Sequence, residues 1–529
     1  MHRNRSVDVH QFAMIPKADI PRSSFDAQKT YKTTFDAGYL VPVIVDEVLP
    51  GDTWNLRMTA FSRLATPLYP IMDNMIMESF FFFVPNRLVW TNWVKMMGQQ
   101  DNPGDSISYS VPQMTSPAGG YAVNSLQDYM GLPTAGQITG SNTVTHNALY
   151  LRAYNLIWNE WFRDENLQNS VVVDKGDSAS NPADYVLLRR GKRKDYFTSA
   201  LPWPQKGAAV TLPLGTKAPV AFDGVAGNVA GVISTTQGNA VKGFVTGTPS
   251  GNQLEMGTNT LTYGLYADLS QATAATINQI RQSFQIQRLL ERDARGGTRY
   301  TEILRAHFGV VSPDARLQRP EYIGGGSTPI NINPIAQTSA TNVTGGSTPQ
   351  GNLAAMGTAL ANGHGFTYSA VEHGMIIGLV SVRADLTYQQ GLQRMWSRKT
   401  RYDYYFPAFA HLGEQAILNK EIFCQGTAGD EDVFGYQERW GEYRYKPSQI
   451  TGLFKSTSAG TLDAWHLAQR FTGTPTLNST FIQDNPPVER IVAVGAAANG
   501  KQFLFDAFFD IRMARPMPMY SVPGLIDHF

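Results

Sequence analysis

The chain has 529 residues, with 44 basic and 43 acidic side chains and a formal net charge of +1. Nonspecific affinity for nucleic acid grows with the number of phosphates neutralised, so this balance excludes a histone-like binder. Any nucleic acid must meet a local basic patch or a second, more basic protein. Only 16% of the residues are charged, against a usual ~25%, which indicates a small solvated surface, as in a self-associating or a secreted β-rich protein.

Glycine and proline are abundant, at 48 and 30 residues, and strand-like apolar runs outnumber helical periodicities. Single cores usually split beyond about 300 residues, and this composition favours one β-rich core with large insertions. The single cysteine, Cys424, excludes an intramolecular disulfide and is expected to be a buried small hydrophobe in a reducing cytoplasm. No apolar run follows the basic start of the chain, so a signal peptide and export are not expected.

The first 35 residues combine basic side chains with two prolines and little apolar periodicity, which predicts an extended N-terminal arm over 1–35. From Tyr39 the chain becomes strand-like, with further strands predicted over Leu56–Leu64 and Ile71–Val84. The run Phe80–Val84 is apolar at every position instead of alternating, so its strand is predicted to be buried on both faces. The Pro-Asn pair that follows ends this strand.

An amphipathic helix is predicted over about His146–Arg163, because apolar residues recur there at intervals of three or four. A helical insertion is predicted over 271–308, with a glycine pair between its two helices. Two further segments, 207–260 and 324–363, are long and poor in charge, and the second contains no charged residue. Both are predicted as loops built of extended hairpins at the surface and not as flexible linkers, since long loops in compact domains are usually functional or disordered.

Strands return in the last third of the chain. Predicted strands there are Met375–Tyr388, Val488–Val494 and Phe503–Met513. Strands at both ends, with helices and loops between them, predict an antiparallel sandwich in which early and late strands pair. This is the order of a jelly roll that carries large insertions.

Motifs for catalysis or metal binding are largely missing from the sequence. The HExxH zinc motif, the G-x-S-x-G elbow and the P-loop do not occur. Glu160, Asp164 and Glu165 could offer paired carboxylates, since 160 and 164 share a helical face, but we interpret all three as solvated acids near a helix end. The sequence therefore predicts no catalytic residue and no metal ligand.

The densest run of charge is basic and is followed by the aromatic pair Tyr196-Phe197. Basic side chains next to aromatic rings suit single-stranded nucleic acid, because phosphates meet the charges and bases stack on the rings. A solvated loop is the alternative interpretation. The stretch Arg398–Phe406 allows the same two interpretations. The basic run that precedes Tyr196-Phe197 consists of Arg189, Arg190, Lys192, Arg193 and Lys194.

Six stretches of the sequence resemble the major capsid proteins of the microviruses, in particular the gokushovirus branch. They follow one another in order along nearly the whole chain, and long ones such as DYFTSALPWPQ have little chance of matching by accident. The stretches are Ile15–Phe25, Glu78–Gly98, Arg152–Leu167, Lys194–Gly207, Thr301–Pro313 and Met517–Leu525.

The resemblance implies an eight-stranded jelly-roll subunit, one domain over 36–529, many copies of which form a small icosahedral shell around circular single-stranded DNA. It also implies that 207–260 protrudes at the threefold axes and meets a receptor on the surface of a bacterial host. The implied partners are an internal scaffolding protein, a minor pilot protein and a small basic packaging protein. The implied location is the virion, after assembly in the host cytoplasm, and no cofactor is implied.

On this basis the arm is expected to lie inside the shell, and its basic residues become candidate DNA-binding residues together with the run at 189–194. A β-sandwich carbohydrate-binding protein or glycosidase is the alternative, and a glycosidase needs a carboxylate pair ~5–10 Å apart. A nonviral nucleic-acid-binding module is a third class, which the near-zero net charge disfavours. The candidate residues of the arm are Arg3, Arg5, Lys17 and Arg22.

Overall fold

Eight long strands form the framework of the protein. The structure is a computed structural model that describes residues 21–210, 220–222, 231–234, 240–243, 265–267, 277–313, 317–339, 350–385, 387–493 and 500–520. The framework strands are β1 (Ser23–Phe35), β2 (Val41–Val48), β3 (Thr53–Leu64), β4 (Met75–Pro85), β5 (Glu321–Pro329), β6 (Leu353–Ser369), β7 (Gly374–Ala384) and β8 (Phe503–Arg515).

The framework strands are hydrogen-bonded in the order β1-β8-β3-β6-β5-β4-β7-β2, and every pairing is antiparallel. The first four form one sheet and the last four a second sheet, and the sheets join through one backbone pair, Gly325 with Gly365. First and last strands pair, and the chain crosses from one group to the other after every framework strand except β4, which is the order of a jelly roll. The predicted antiparallel jelly-roll sandwich is confirmed.

The core of the jelly roll lies between the two sheets, and a second core covers the outer side of β4 and β7. Phe81 and Phe83 of β4 point into the first core, whereas Phe82 and Val84 point into the second. All four side chains are buried, as predicted from the apolar run. Alternate residues of a strand face opposite sides, so the stretch of β4 that lies between two cores is apolar at successive positions.

Helix α1 (Leu149–Ile157) provides much of the second core and continues as a π-helical turn, Trp158–Phe162. Tyr154 of α1 is fully buried; its hydroxyl donates to the carbonyl oxygen of Leu40 at 2.9 Å and accepts from the amide of Leu188 at 3.0 Å. Its polar atom is thereby satisfied, as burial requires. The predicted helix over His146–Arg163 is confirmed with slightly narrower bounds.

Close backbone approach explains the glycines where the two sheets join. A Cβ atom added to Gly325 would lie 2.2 Å from the carbonyl oxygen of Ser79. One added to Gly365 would lie 2.1 Å from the carbonyl oxygen of Leu56. No side chain fits at either position, so this crossing of strands β5 and β6 depends on glycine.

Residues 205–297 form a compact unit separate from the jelly roll, which comprises the chain up to 204 and from 298. In this unit the structure describes four short strands and α2 (Ile277–Gly296). The strands pair as Val220–Phe222 with Leu265–Ala267 and Gly231–Ser234 with Ala240–Gly243. Most of the predicted protrusion 207–260 lies outside the described residues. The predicted helical insertion 271–308 spans both units, since α3 (Tyr300–Phe308) belongs to the jelly-roll unit.

Short elements complete the jelly-roll unit. Among the described helices, none is long and apolar enough to cross a membrane. The short strands are Gln113–Thr115, Thr145–Asn147, Asn331–Ala336, Glu414–Leu418 and Val433–Glu438, and the short α-helices are Asn86–Val89, Trp93–Met96, Leu126–Tyr129, Asn419–Ile422, Gly441–Arg444 and Ser479–Ile482.

Two predicted segment boundaries were wrong. The predicted arm 1–35 ends earlier, because residues 23–35 form β1, whose Ala27 and Tyr31 pack against the core while Asp26 and Lys32 face outward. The segment 324–363, predicted as extended surface hairpins, does contain a hairpin, in which Asn331–Ala336 pairs with the first part of β6. Its placement outside the framework was wrong, because the segment includes much of β5 and β6. The glycines Gly325 and Gly365 permit the close crossing of β5 and β6 described above.

Two smaller expectations also fail. Val488–Arg490 is a turn of 3-10 helix and not a strand, and its valine and the nearby Ile491 are buried in the jelly-roll core. A continuous apolar run marks burial but does not by itself distinguish a strand from a buried turn. Cys424 is exposed, and its thiol lies 3.6 Å from a carboxylate oxygen of Asp430.

Candidate nucleic-acid interface

The predicted basic run 189–194 is an extended segment held between two other parts of the chain. The amide of Arg190 donates to the carbonyl oxygen of Gly38 at 2.9 Å, and that of Lys192 donates to the carbonyl oxygen of Ile482 at 2.8 Å. Successive side chains of an extended segment point to opposite sides. The five basic residues therefore do not share one surface.

Arg189 and Arg190 hold neighbouring segments together. The guanidinium of Arg189 donates to the carbonyl oxygens of Ala37 and Asp484, both at 3.0 Å, and stacks 3.9 Å from the centre of the Tyr39 ring. Arg190 forms an ion pair with Glu78 of β4. These contacts use the guanidinium groups for packing within the chain, where Arg combines bidentate bonding with ring stacking.

Glu78 accepts from two arginines in a partly buried network. Besides Arg190, the guanidinium of Arg383 on β7 lies 3.1 Å from its carboxylate. Burial alone would raise the pKa of Glu78, but the ion pairs with Arg190 and Arg383 outweigh it and hold the pKa below the ordinary value. The carboxylate is therefore charged and compensated, as a buried acid must be.

Lys192 is a buried lysine. Its ammonium donates to the Gln469 side-chain oxygen at 2.9 Å and lies 4.4 Å from the centre of the Phe481 ring. Burial lowers the pKa of Lys192 to about 8, and burial raises the pKa of the nearby Asp484 to about 6. Both groups are charged near neutral pH, and their attraction offsets part of the desolvation. Lys192 thus stabilises this layer of the protein and is not accessible to a phosphate.

Arg193 and Lys194 are the two exposed members of the run. Lys194 forms an ion pair with Asp164 and donates to the carbonyl oxygen of Thr198 at 3.1 Å. Both residues line a cavity of about 740 Å³ that contains four carboxylates and three cationic side chains. This cavity has no excess of positive charge, so its electrostatics do not favour a polyanion over a neutral ligand.

The predicted basic residues of the arm divide into two groups. Arg22 docks on the jelly roll, where its guanidinium donates to the Gly51 carbonyl oxygen at 2.6 Å and to the Thr53 hydroxyl at 2.9 Å. Arg3, Arg5 and Lys17 lie outside the described residues. Arg22 and Arg193 are thus the described candidates that are exposed and have no ion pair among the described contacts, and of these two only Arg22 forms side-chain hydrogen bonds there.

The acidic residues near the end of α1 are paired with cations and do not form a catalytic site. Arg299 lies 3.3 Å from the Glu160 carboxylate and forms a second ion pair with Glu165. Asp164 pairs with Lys194. The expectation of solvated acids was wrong, because the Asp164 and Glu165 side chains are mostly buried. Within the described part of the chain, no cluster of His, Cys, Asp and Glu could hold a metal ion.

The sequence analysis missed an exposed apolar surface on the sheet formed by β1, β8, β3 and β6. Phe61 of β3 pairs with Leu360 of β6 and Asp506 of β8, and Leu504 and Phe508 follow on the same face of β8. The exposed fractions are 47% for Phe61 and 63% for Leu360. The alternation in β3 could have revealed this, since Trp54, Leu56, Met58 and Ala60 face inward and leave Phe61 on the outer side.

Comparison with known proteins places the chain in one family. A profile of the family described as "Capsid protein (F protein)" matches residues 13–525. The chain is 49% identical to capsid protein VP1 of Bdellovibrio phage phiMH2K and 44% identical to capsid protein VP1 of Chlamydia phage 1. It is 35% identical to capsid protein VP1 of Spiroplasma virus 4. Each match covers 98% of this chain and 98% of the relative.

The extent of these matches decides between the function classes left open by the sequence. The resemblance to gokushovirus capsid proteins is confirmed, and the carbohydrate-binding or glycosidase alternative is superseded. The chain therefore belongs to the Capsid protein (F protein) family, and it is a structural protein and not an enzyme.

Proposed function

We propose that many copies of this chain assemble into a small icosahedral shell around a circular single-stranded DNA genome. Membership of the capsid family supports self-assembly around a viral genome. The observation that carries the proposal furthest is the apolar outer face of the sheet β1-β8-β3-β6, which we call the open face. Large contiguous apolar patches on soluble proteins usually mark interaction sites.

The open face suits a second copy of this chain better than it suits DNA. Its charges have both signs. Arg57 and Arg63 of β3 are exposed, and Arg57 lies beside the half-buried Asp510 of β8. Lys32 of β1 pairs with Asp506 of β8 at 2.9 Å. A polyanion would be repelled by the aspartates, whereas another protein surface can match both signs. A depression of about 530 Å³ beside Phe61 offers a seat for a protruding side chain.

The remaining assignments of the proposal concern DNA and other partners. We assign Arg3, Arg5 and Lys17 to the interior of the shell, where basic residues near the N-terminus would neutralise phosphates. We assign Arg193 to the same task, with Arg189, Arg190, Lys192, Lys194 and Arg22 fixing neighbouring segments through the contacts described above.

The family resemblance supports further partners for the assembled particle. They are an internal scaffolding protein, a minor pilot protein, a small basic packaging protein and a receptor on the surface of a bacterial host. In this proposal residues 207–260 meet the receptor from the threefold axes of the shell. Assembly takes place in the host cytoplasm, which fits a chain with one cysteine.

The shell proposal is tested first by sizing the protein from its native source. Light scattering and negative-stain microscopy should show uniform megadalton spheres, and nuclease treatment should leave single-stranded DNA protected inside them. A DNA-free monomer, still monomeric after the scaffolding partner is added, would contradict the proposal.

The open face is tested by the double variant Phe61→Glu with Phe508→Glu. Two buried charges at a subunit contact should remove assembled particles, since losing one central apolar contact costs about 2 kcal/mol, or about thirtyfold, per interface. The variant subunit should keep its unfolding midpoint, because both side chains are solvent-exposed. Phe308→Glu, at an exposed phenylalanine of α3, is the matched control and should still assemble. Normal particle yield from the double variant would rule out the open face as a contact.

A further inference from the structure

A second exposed aromatic surface lies between β7 and β8 in sequence and differs in charge from the open face. It comprises Trp396, Tyr402, Tyr404 and Phe406, together with the cationic Lys399 and Arg401, and we call it the aromatic–basic surface. Trp396 is 71% exposed and Tyr402 is 68% exposed, although large aromatic residues are usually buried. In the isolated chain these rings therefore expose an unusual amount of apolar area to water.

The aromatic–basic surface is held in place by ion pairs beneath it. Arg394 lies 2.8 Å from the Glu421 carboxylate and donates to the carbonyl oxygen of Ala416 at 2.8 Å. Arg398 lies 3.1 Å from the Glu442 carboxylate and 4.2 Å from the centre of the Tyr443 ring. Anchors before and within the segment restrict the backbone that presents the rings. A ligand would bind a preorganised surface and lose little entropy in ordering it.

The carboxylate within this segment is already engaged. Asp403 accepts from the amides of Lys399 and Thr400 at 2.9 and 2.7 Å and from the Thr400 hydroxyl at 3.0 Å. The ammonium of Lys399 and the guanidinium of Arg401 remain exposed, and the latter lies 5.3 Å from the centre of the Phe406 ring. Exposed cations therefore lie in the same short stretch as the exposed rings, and a cation can also interact with the flat face of an aromatic ring.

We propose that the aromatic–basic surface binds the single-stranded DNA inside the shell, with bases stacked on Trp396, Tyr402 and Tyr404 and phosphates at Lys399 and Arg401. This inference rests on the proposed function, because it requires the shell to enclose single-stranded DNA. Rings accept any base by its flat face and cations accept any phosphate, so the site is independent of sequence. A genome of arbitrary sequence needs this kind of contact.

The charge distribution favours DNA over a second copy of the chain as the occupant. On the open face, cations and carboxylates are both exposed. On the aromatic–basic surface the exposed cations Lys399 and Arg401 outnumber the one carboxylate, Asp403, which faces backbone amides of its own segment, and Glu442 is paired with Arg398. Excess positive charge beside stacking rings complements a single strand, which carries a phosphate at every nucleotide.

The direct test is photochemical crosslinking in purified, DNA-filled particles. Ultraviolet irradiation followed by mass spectrometry of the peptides should find nucleotide adducts on Trp396, Tyr402 or Tyr404. Tyr300 of α3 is 72% exposed and serves as the internal control, on which we expect no adduct. Particles that contain DNA but show no adduct on the three rings would overturn this inference and leave the shell proposal intact. Wild-type protein that forms no DNA-containing particle would overturn the shell proposal itself.

A variant gives the second readout. Trp396→Leu with Tyr402→Leu should still form shells, and the DNA inside should become nuclease-sensitive at a lower salt concentration than in wild type. The expected loss of affinity is about tenfold for each stacked base removed. Tyr300→Leu should match wild type. If the double variant fails to form shells and the wild-type rings carry no adduct, the surface is a contact between subunits and the inference is wrong.

Discussion

The two sheets of the jelly roll differ in what lies on their outer sides. The sheet β5-β4-β7-β2 is covered by a second core that includes α1, whereas the sheet β1-β8-β3-β6 exposes Phe61, Leu360, Leu504 and Phe508. In β4 and β7 every residue is buried or half-buried, while β3 alternates between buried and exposed positions from Trp54 onward. The outer side of the sheet β5-β4-β7-β2 is thus covered by residues of the same chain, whereas the residues that the structure describes leave that of the sheet β1-β8-β3-β6 exposed.

This difference indicates where the free energy of apolar burial is used. Burying apolar area outside β4 and β7 stabilises the single subunit. Similar side chains on the open face stay exposed in the single subunit, so burying them would stabilise the contact between subunits instead. A shell protein needs both, because the subunit must fold before it assembles and must then bind its neighbours. The two sheets can therefore be disrupted separately.

The largest expected effect comes from truncating a phenylalanine on the covered sheet. Phe82→Ala should lower the free energy of unfolding of the unassembled subunit by about 3–5 kcal/mol, because it leaves a cavity in the second core. Phe508→Ala on the open face is the matched control and should change it by less than about 1 kcal/mol. Urea unfolding followed by tryptophan fluorescence measures both. Equal losses would mean that the two faces are not energetically distinct.

An intermediate effect is expected where the sheets join. Gly365→Ala forces a Cβ against the carbonyl oxygen of Leu56, and overpacking of this kind costs about 1–3 kcal/mol. Gly473→Ala is the control, since no atom lies within 4 Å of an added Cβ and its φ is not in the left-handed region. The same urea titration compares them. If Gly365→Ala were as stable as Gly473→Ala, the crossing would not require glycine.

The smallest expected effect is a dependence on pH at the same junction. Buried His364 contacts the Ser79 and Thr328 hydroxyls at 2.8 and 2.9 Å, and burial lowers its pKa below the ordinary 6.5. The folded protein then takes up this proton less readily than the unfolded chain. The free energy of unfolding should therefore fall as the pH drops below about 6.5, by at most about 1.4 kcal/mol per pH unit for one proton.

The variant His364→Gln isolates this contribution. Its free energy of unfolding should depend less steeply on pH between about 6.5 and 5 than that of wild type. Some dependence should remain, because burial also lowers the pKa of His146, in the short strand Thr145–Asn147. Identical slopes for the variant and wild type would show that His364 does not titrate differently on folding.

The fold was predictable from the sequence wherever a local pattern reflects a global position. The uninterrupted Phe80–Val84 run indicated burial on two sides, and the 3–4 residue spacing after His146 indicated α1. β1 was missed because its outward side is charged, so it looked like a solvated arm until its pairing with β8 was visible. The charge-poor, glycine-rich segment 324–363 was predicted as surface hairpins for a similar reason, since its pairing with β4 and β3 is not visible in the sequence.

The candidate site was less predictable than the fold. Composition marked 189–194 as basic, yet Arg189, Arg190 and Lys192 bind carbonyl, carboxylate and amide oxygens of distant segments. A run of charged residues in the sequence shows which side chains carry charge, but it does not show which groups those side chains contact in the folded chain. The aromatic stretch after Arg398 looked equally ambiguous, and its exposure in the structure is what makes it a candidate surface for DNA.

The sequence by itself determined that this chain is a charge-poor, β-rich jelly roll of the capsid family, because apolar periodicity and long matching stretches are local properties. Only the tertiary structure decided which sheet is covered, where the sheets cross and which cations are exposed. Those properties depend on pairs of residues hundreds of positions apart, such as Ser23 with Arg515 and Gly325 with Ser79. Side-chain chemistry sets what each residue can bind, and long-range packing decides whether its partner lies within the chain or outside it.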